Sequence, residues 1–127
     1  MSVKVDILRN ASDIKHLDRY SYRSVYDNFG ADSECVYGLW LNNKIIGYCT
    51  LGYADGVLYN VGADDLLLSD VYILSKYRKK GYGLYFLQRV LKNINVPVYA
   101  EILEDGLLYF YSKLGFKLIS NGLLMRR

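Results

Sequence analysis

Apolar and polar residues change their spacing several times along the chain, and each change marks an element. Residues 3–8, VKVDIL, alternate with the period of a half-buried strand. The stretch 10–29 carries Asn10 or Ser12 as an N-cap candidate and a thin apolar stripe of Ile14, Leu17 and Val25, which predicts a helix. CVYGLWL and KIIGYCTLGY flank Asn42-Asn43, two residues that tolerate the positive φ of a tight hairpin turn, so an antiparallel hairpin is expected. Residues 54–65, rich in Gly and Asp, read as a loop with room for a short strand.

The second half repeats a strand-helix rhythm. LLLSDVYI (66–73) is an apolar run of strand length, expected to be a central strand buried on both faces. From Leu84, the residues Leu87, Val90, Leu91 and Ile94 follow a helical spacing, with YRKKGYG (77–83) at the helix entry. VPVYAEIL (96–103) predicts a strand. DGLLYFYSKLGF then places Leu107, Phe110, Tyr111 and Leu114 on one helical face, stopped by Gly115. FKLIS, Asn121-Gly122 and LLMRR predict a last hairpin. The order implies an α/β fold: a mixed β-sheet with parallel central strands joined by a crossover helix and flanked by helices. A single domain over 1–127 is expected, since this length holds one core.

Composition narrows the function classes. No window approaches the roughly 18–20 apolar residues of a membrane helix, and the start lacks a signal-peptide pattern, so a cytoplasmic, soluble chain is the expectation. Cys35 and Cys49 are far apart and are expected to be small buried hydrophobes; with His16 the lone histidine, no metal site is expected. Charge is uneven. Residues 1–70 carry 6 Lys and Arg against 10 Asp and Glu, whereas residues 71–127 carry 10 against 3. Such a split suits a ligand that is anionic at one end and cationic at the other, although ordinary scatter of surface charge gives the same pattern.

The entry YRKKGYG is where chemistry is most legible. A helix start presents backbone N–H groups and the positive end of the dipole, and glycine lets an anion approach closely. A solvated basic turn is the competing reading. The Walker spacing is absent, and Phe86 stands where a dinucleotide fingerprint needs its third glycine.

Arg78-Lys79-Lys80-Gly81-Tyr82-Gly83 does fit R-x-x-G-x-G. With the preceding strand, DVYILSKYRKKGYG resembles the D-h-h-V-x-P-x-x-R-x-x-G-x-G signature (h apolar) of the GNAT superfamily of acyl-CoA-dependent N-acyltransferases, with Ser75 where many members have proline. YSKLGF (111–116) is similar to the family's Y-x-K-x-G-F. The resemblance spans nearly the whole chain, but DNFGADSE (27–34) is too short for the second helix of larger members.

The resemblance implies an N-acetyltransferase moving acetyl from acetyl-CoA to a primary amine, on a small molecule or peptide, by direct attack in a ternary complex. Val71, Tyr72 and Ile73 would then meet the pantetheine arm and thioester, with the Val71 N–H on the carbonyl oxygen. Arg78, Lys79, Lys80, Gly81, Tyr82, Gly83 and Leu84 would hold the diphosphate. Tyr111 would serve the leaving sulfur as acid, and Asp70 would act as base or hold a cationic amine. Glu101 and Glu104 are further base candidates, and Tyr111 could equally be plain core. Ser69 stands where some polyamine-acetylating members have a second acid, and Asp105 replaces an asparagine that contacts the cofactor arm. Asp32, Glu34, Asp55, Asp64 and Asp65 fall in segments expected to be loops that could surround a cationic acceptor. Two alternatives stay open: a non-catalytic acyl-CoA-binding module, and acetylation of an aminoacyl-tRNA. The RNA reading ranks lower because no separate basic stripe lies beyond KYRKK, Arg89, Lys92 and Arg126-Arg127. The last strands are candidates to pair two copies of the chain.

Overall fold

A computed structural model describes residues 2–9, 17, 34–102, 106–120 and 122–126. The helix expected over 10–29, with His16, lies outside them apart from Leu17, as do Asp32, Glu104 and Asp105.

Seven strands form one mixed sheet: β1 (Val3–Ile7), β2 (Glu34–Leu41), β3 (Lys44–Tyr53), β4 (Leu66–Ile73), β5 (Val98–Glu101), β6 (Lys117–Ser120) and β7 (Leu123–Arg126), in the order β1-β2-β3-β4-β5-β7-β6. Two helices follow β4 and β5 in the chain, α1 (Tyr82–Leu91) and α2 (Gly106–Ser112). Every described pairing is antiparallel except β4 with β5. The α1 crossover supplies the length a parallel pair requires.

Local chemistry accounts for the connections. Asn42 and Asn43 have φ of 50° and 68°, so both adopt the left-handed conformation a two-residue hairpin turn needs. Gly115 (φ 91°) ends the turn after α2, where the Phe116 N–H returns to the Tyr111 carbonyl. The loop after β3 contains an isolated bridge, Asp55 with Leu58, in place of a strand.

α1 is helical because its apolar residues share one face: Phe86, Leu87, Val90 and Leu91 are buried. They join Leu39, Ile46, Cys49, Leu51, Leu68, Val98 and Leu124 in the main core. A smaller cluster gathers Leu8, Leu17, Val36, Ile45 and Tyr48. β3 therefore feeds both clusters, and its residues from Ile45 to Gly52 are all buried. Among the described residues, no helix is long and apolar enough to cross a membrane.

Three expectations change on contact with the structure. β4 is only half-buried over much of its length, because its partner β5 accompanies it over three residues and then leaves one side open. Cys35 is exposed near the start of β2, and only Cys49 is a core residue. Asp65 does not offer a loop carboxylate to solvent. It is buried, and its Oδ2 accepts the Gly62 N–H at 2.9 Å and the Tyr99 hydroxyl at 3.3 Å, closing the loop onto the sheet.

Candidate functional site

The site begins where two parallel strands part. Leu66, Leu67 and Leu68 of β4 pair with Val98, Tyr99 and Ala100 of β5, and there the pairing stops. β4 continues to Ile73 with β3 on one side only, while Glu101 of β5 is paired with Leu123 of β7 alone. A strand with an open side carries backbone groups that an extended ligand can use. Beside this opening lies a cleft of about 500 Å³, lined by Leu67 to Val71, Glu101, Leu107 and Tyr111.

A bulge shapes the cleft's strand wall. Thr50 pairs with Ser69 and Tyr48 with Tyr72, so Asp70 and Val71 together stand opposite Cys49 alone. Asp70 has φ 51°, a left-handed conformation that aspartate tolerates better than most residues. An extra residue resets the alternation of side chains and takes backbone groups out of the ladder. Ser69, Asp70 and Val71 consequently all line the cleft.

Behind the bulge is a buried hydroxyl that sequence reasoning missed. Thr50 is fully buried, and its Oγ1 lies 2.6 Å from Ser69 Oγ, 3.1 Å from the Ser69 carbonyl oxygen and 3.2 Å from Asp70 Oδ2. In the sequence Thr50 is one more β-branched strand residue. Its meaning comes from the register that sets it beside Ser69, which periodicity cannot supply.

Across the cleft stands Tyr111 in α2. Its ring packs edge-on against Phe110 and Phe116, each 5.3 Å away between centroids. Burial, with a smaller contribution from Cys49, pushes its phenol up to about 12. Burial and the charge of Asp70 raise the Cys49 thiol as well. Both groups therefore hold their protons at neutral pH, and Cys49 is no nucleophile there.

β4 leads into the second part of the site. A 3-10 turn, Ser75–Tyr77, follows Ile73 and Leu74. The Arg78 guanidinium folds back over it: Nε donates to the Ile73 carbonyl at 2.6 Å, and Cζ sits 5.2 Å from the centre of the Tyr72 ring. The side chain thus ties the loop to its strand. Lys79 (φ 61°) and Gly81 (φ 89°) make the two left-handed bends that aim the chain into α1.

At the start of α1, Gly81 is the N-cap, no side chain caps the helix and no acidic residue lies in its first turn. The helix's positive end is thus not offset from within. A Cβ at Gly81 would meet nothing within 4 Å, and one at Gly83 would meet Phe110 at an ordinary 3.6 Å. A second cleft, about 490 Å³, opens here between Val3, Lys80, Gly81, Tyr82 and Tyr85. Tyr72 and Ile73 lie between the two clefts in chain order, and Leu84 lies beside the second; Ile73 is buried, and Leu84 packs against the core.

The model of the acetyltransferase (GNAT) domain family matches residues 32–118, more than two thirds of the chain. The chain belongs to the GNAT acetyltransferase family. Solved GNAT structures give the same fold. The Escherichia coli GNAT family N-acetyltransferase YhbS, solved in complex with CoA, matches with a TM-score of 0.76 at 16% identity over 98% of this chain and 81% of its own. The ribosomal-protein-S18-alanine N-acetyltransferase of Escherichia coli matches at 0.74 and 15% identity, over 98% and 91%. The Bacillus subtilis N-acetyltransferase YlbP, in complex with coenzyme A, matches at 0.65 and 18%, over 99% and 100%. Identities this low speak for the fold.

Within this GNAT domain, the sequence-predicted residues fall into two groups. Asp70, Val71 and Tyr111 meet at the strand cleft, and Lys80, Gly81 and Tyr82 meet at the helix entry. Arg78 is turned toward β4 and Lys79 is exposed. Among the described residues, no group of three or more His, Cys, Asp and Glu is arranged to hold a metal.

Proposed function

We propose that this GNAT domain transfers an acetyl group from acetyl-CoA to a primary amine by direct attack in a ternary complex. One observation carries the reading: a bulged strand with one open side leads, through a short turn and loop, into an uncapped helix N-terminus, with a protonated phenol across the cleft. An extended thioester with a diphosphate needs those three features in that order.

The residues fit acetyl-CoA. Val71, Tyr72 and Ile73 would take the pantetheine arm along the open side of β4, with the Val71 N–H as donor to the thioester oxygen. Lys79, Lys80, Gly81, Tyr82, Gly83 and Leu84 would hold the diphosphate, mainly through backbone N–H groups at the positive helix end. Arg78 serves the same cradle as its clamp, fixing the loop through Ile73. Acetyl-CoA supplies an activated acyl group.

The chain's own side chains manage protons. Asp70 faces the cleft and would receive the ammonium of the acceptor or take its proton through water. Tyr111 is a hydrogen-bond donor to the departing sulfur. Burial keeps its phenol protonated at neutral pH, so it would stabilise the charge developing on the sulfur and serve as the acid that returns a proton to it.

A panel of primary amines, spanning peptide N-termini, lysine side chains, polyamines and aminoglycosides, tests the reading by release of CoA thiol. Acetylation of at least one amine, and a large but measurable fall in its rate in Asp70→Asn, is expected. Cofactor binding without any acetylated amine would mean a non-catalytic acyl-CoA-binding module.

A further inference from the structure

Thr50 is a polar side chain with no exposure to solvent, set inside a strand whose neighbours are apolar. A buried hydroxyl is costly unless it is hydrogen-bonded, and its partners say what it is for. All of those the structure gives belong to the bulge of β4: the Ser69 hydroxyl, the Ser69 carbonyl and the Asp70 carboxylate.

Thr50 has one proton to give and several acceptors within reach. The Asp70 carboxylate and the Ser69 carbonyl both accept only, so the Thr50 hydroxyl is the donor to both and shares its proton between them, at 3.2 and 3.1 Å. The 2.6 Å contact is then donated by Ser69 to Thr50 Oγ1, which orders both hydroxyls. Asp70 needs such support. Its side chain is exposed, and its backbone is held at φ 51° with one extra residue against Cys49.

We propose that Thr50, oriented by Ser69, is a positioning residue that holds the Asp70 carboxylate toward the acceptor amine in the cleft. It acts through Asp70 and does not itself touch the substrate. The inference rests on the acetyltransfer reading for its consequence in turnover, but the Thr50–Asp70 link can be measured without any acceptor.

The cleft that Asp70 shares with Leu67, Leu68, Val71 and Leu107 joins a carboxylate to an apolar wall. n-Butylammonium is therefore a fitting minimal probe. Three proteins are compared: wild type, Thr50→Val, which keeps the shape without the hydroxyl, and Thr50→Ser, which restores the hydroxyl. NMR three-bond couplings should report one fixed Asp70 rotamer in wild type, averaging in Thr50→Val, and a fixed rotamer again in Thr50→Ser. In n-butylammonium acetylation, Thr50→Val should lower kcat/KM about tenfold, as for one hydrogen bond to a charged group, and Thr50→Ser should recover most of it. Calorimetric affinity for acetyl-CoA should stay within about twofold, and Thr50→Val made in an Asp70→Asn background should cost little more, since its route of action is gone.

Averaged Asp70 couplings in wild type, or fixed ones in Thr50→Val, would overturn the inference, as would a loss in turnover that adds fully to that of Asp70→Asn. Should Thr50→Val not fold, Ser69→Ala is read in the same way, because it removes the hydroxyl that orients Thr50. Failure of wild type to bind acetyl-CoA would instead sink the acetyltransfer reading, with the couplings still deciding the Thr50–Asp70 link.

Discussion

Tyr111 is a core residue to which the proposed reaction adds a chemical role. Its ring packs between Phe110 and Phe116, and the residue also lines the cleft. Tyr111→Phe keeps the ring, so stability at neutral pH and affinity for acetyl-CoA should barely change. Turnover should fall about 10- to 100-fold, the share of a hydrogen bond to a developing charge. Unchanged turnover would return Tyr111 to the core alone. At this scale the sequence was partly legible. YSKLGF pointed to Tyr111, and the aspartate before Val71 pointed to Asp70. Thr50 was silent, because its role depends on a neighbour 19 positions away. Asp65 was misplaced for the same reason: a loop composition does not reveal that Tyr99 and Gly62 will claim the carboxylate.

At the scale of elements, β4, the loop and α1 form one device, and its two glycines have separable jobs. Gly81 sits at φ 89° with open space around it, so Gly81→Ala is penalised by conformation alone, by about 1–2 kcal/mol. Gly83 lies in the first turn of α1, where a methyl group would make ordinary contact with Phe110. Gly83→Ala should therefore raise the melting temperature slightly, worth up to ~1 kcal/mol. Its methyl group would face Phe110 and Ile73, so acetyl-CoA binding should change little, whereas Gly81→Ala, which disturbs the bend at the helix-entry cleft, should weaken it. Chemical denaturation and calorimetry on the two variants separate these effects; an acetyl-CoA affinity left intact by Gly81→Ala would argue against a role for that bend in binding. The element order was legible because hydrophobic period and turn residues agree at the Asn42-Asn43 turn, in α1 and at Gly115. The bulge at Asp70 and the early parting of β4 from β5 were not. Both arise from register, and an apolar run such as LLLSDVYI reads the same whether its neighbour follows for three residues or eight.

On the scale of the whole molecule, the same burial that tunes the site makes the fold sensitive to alkali. Tyr111 is raised from 10.0 to about 12 in the folded chain. The unfolded chain gives up that proton first, so stability present below pH 10 is lost as pH rises toward 12, by about 2–3 kcal/mol. Cys49, raised from 9.0, adds a loss in the same direction that begins near pH 9. Denaturation midpoints between pH 8 and 12 should fall accordingly, and Tyr111→Phe should remove its part of the fall; an identical slope in the variant would contradict the assignment. The charge division also takes on a shape. The helix entry carries Lys79 and Lys80, while the strand cleft carries Asp70 and Glu101, the separation that the proposed diphosphate and ammonium would each require.

The proposed acetyl transfer passes through the binding of acetyl-CoA to β4 and the start of α1. Titration of the folded protein with acetyl-CoA in a calorimeter is the most direct measurement of that claim. Saturable binding is expected in the ~1 μM–1 mM range common for enzyme substrates, weakened in Gly81→Ala. No detectable heat, at several temperatures and with a protein shown to be folded, would contradict it.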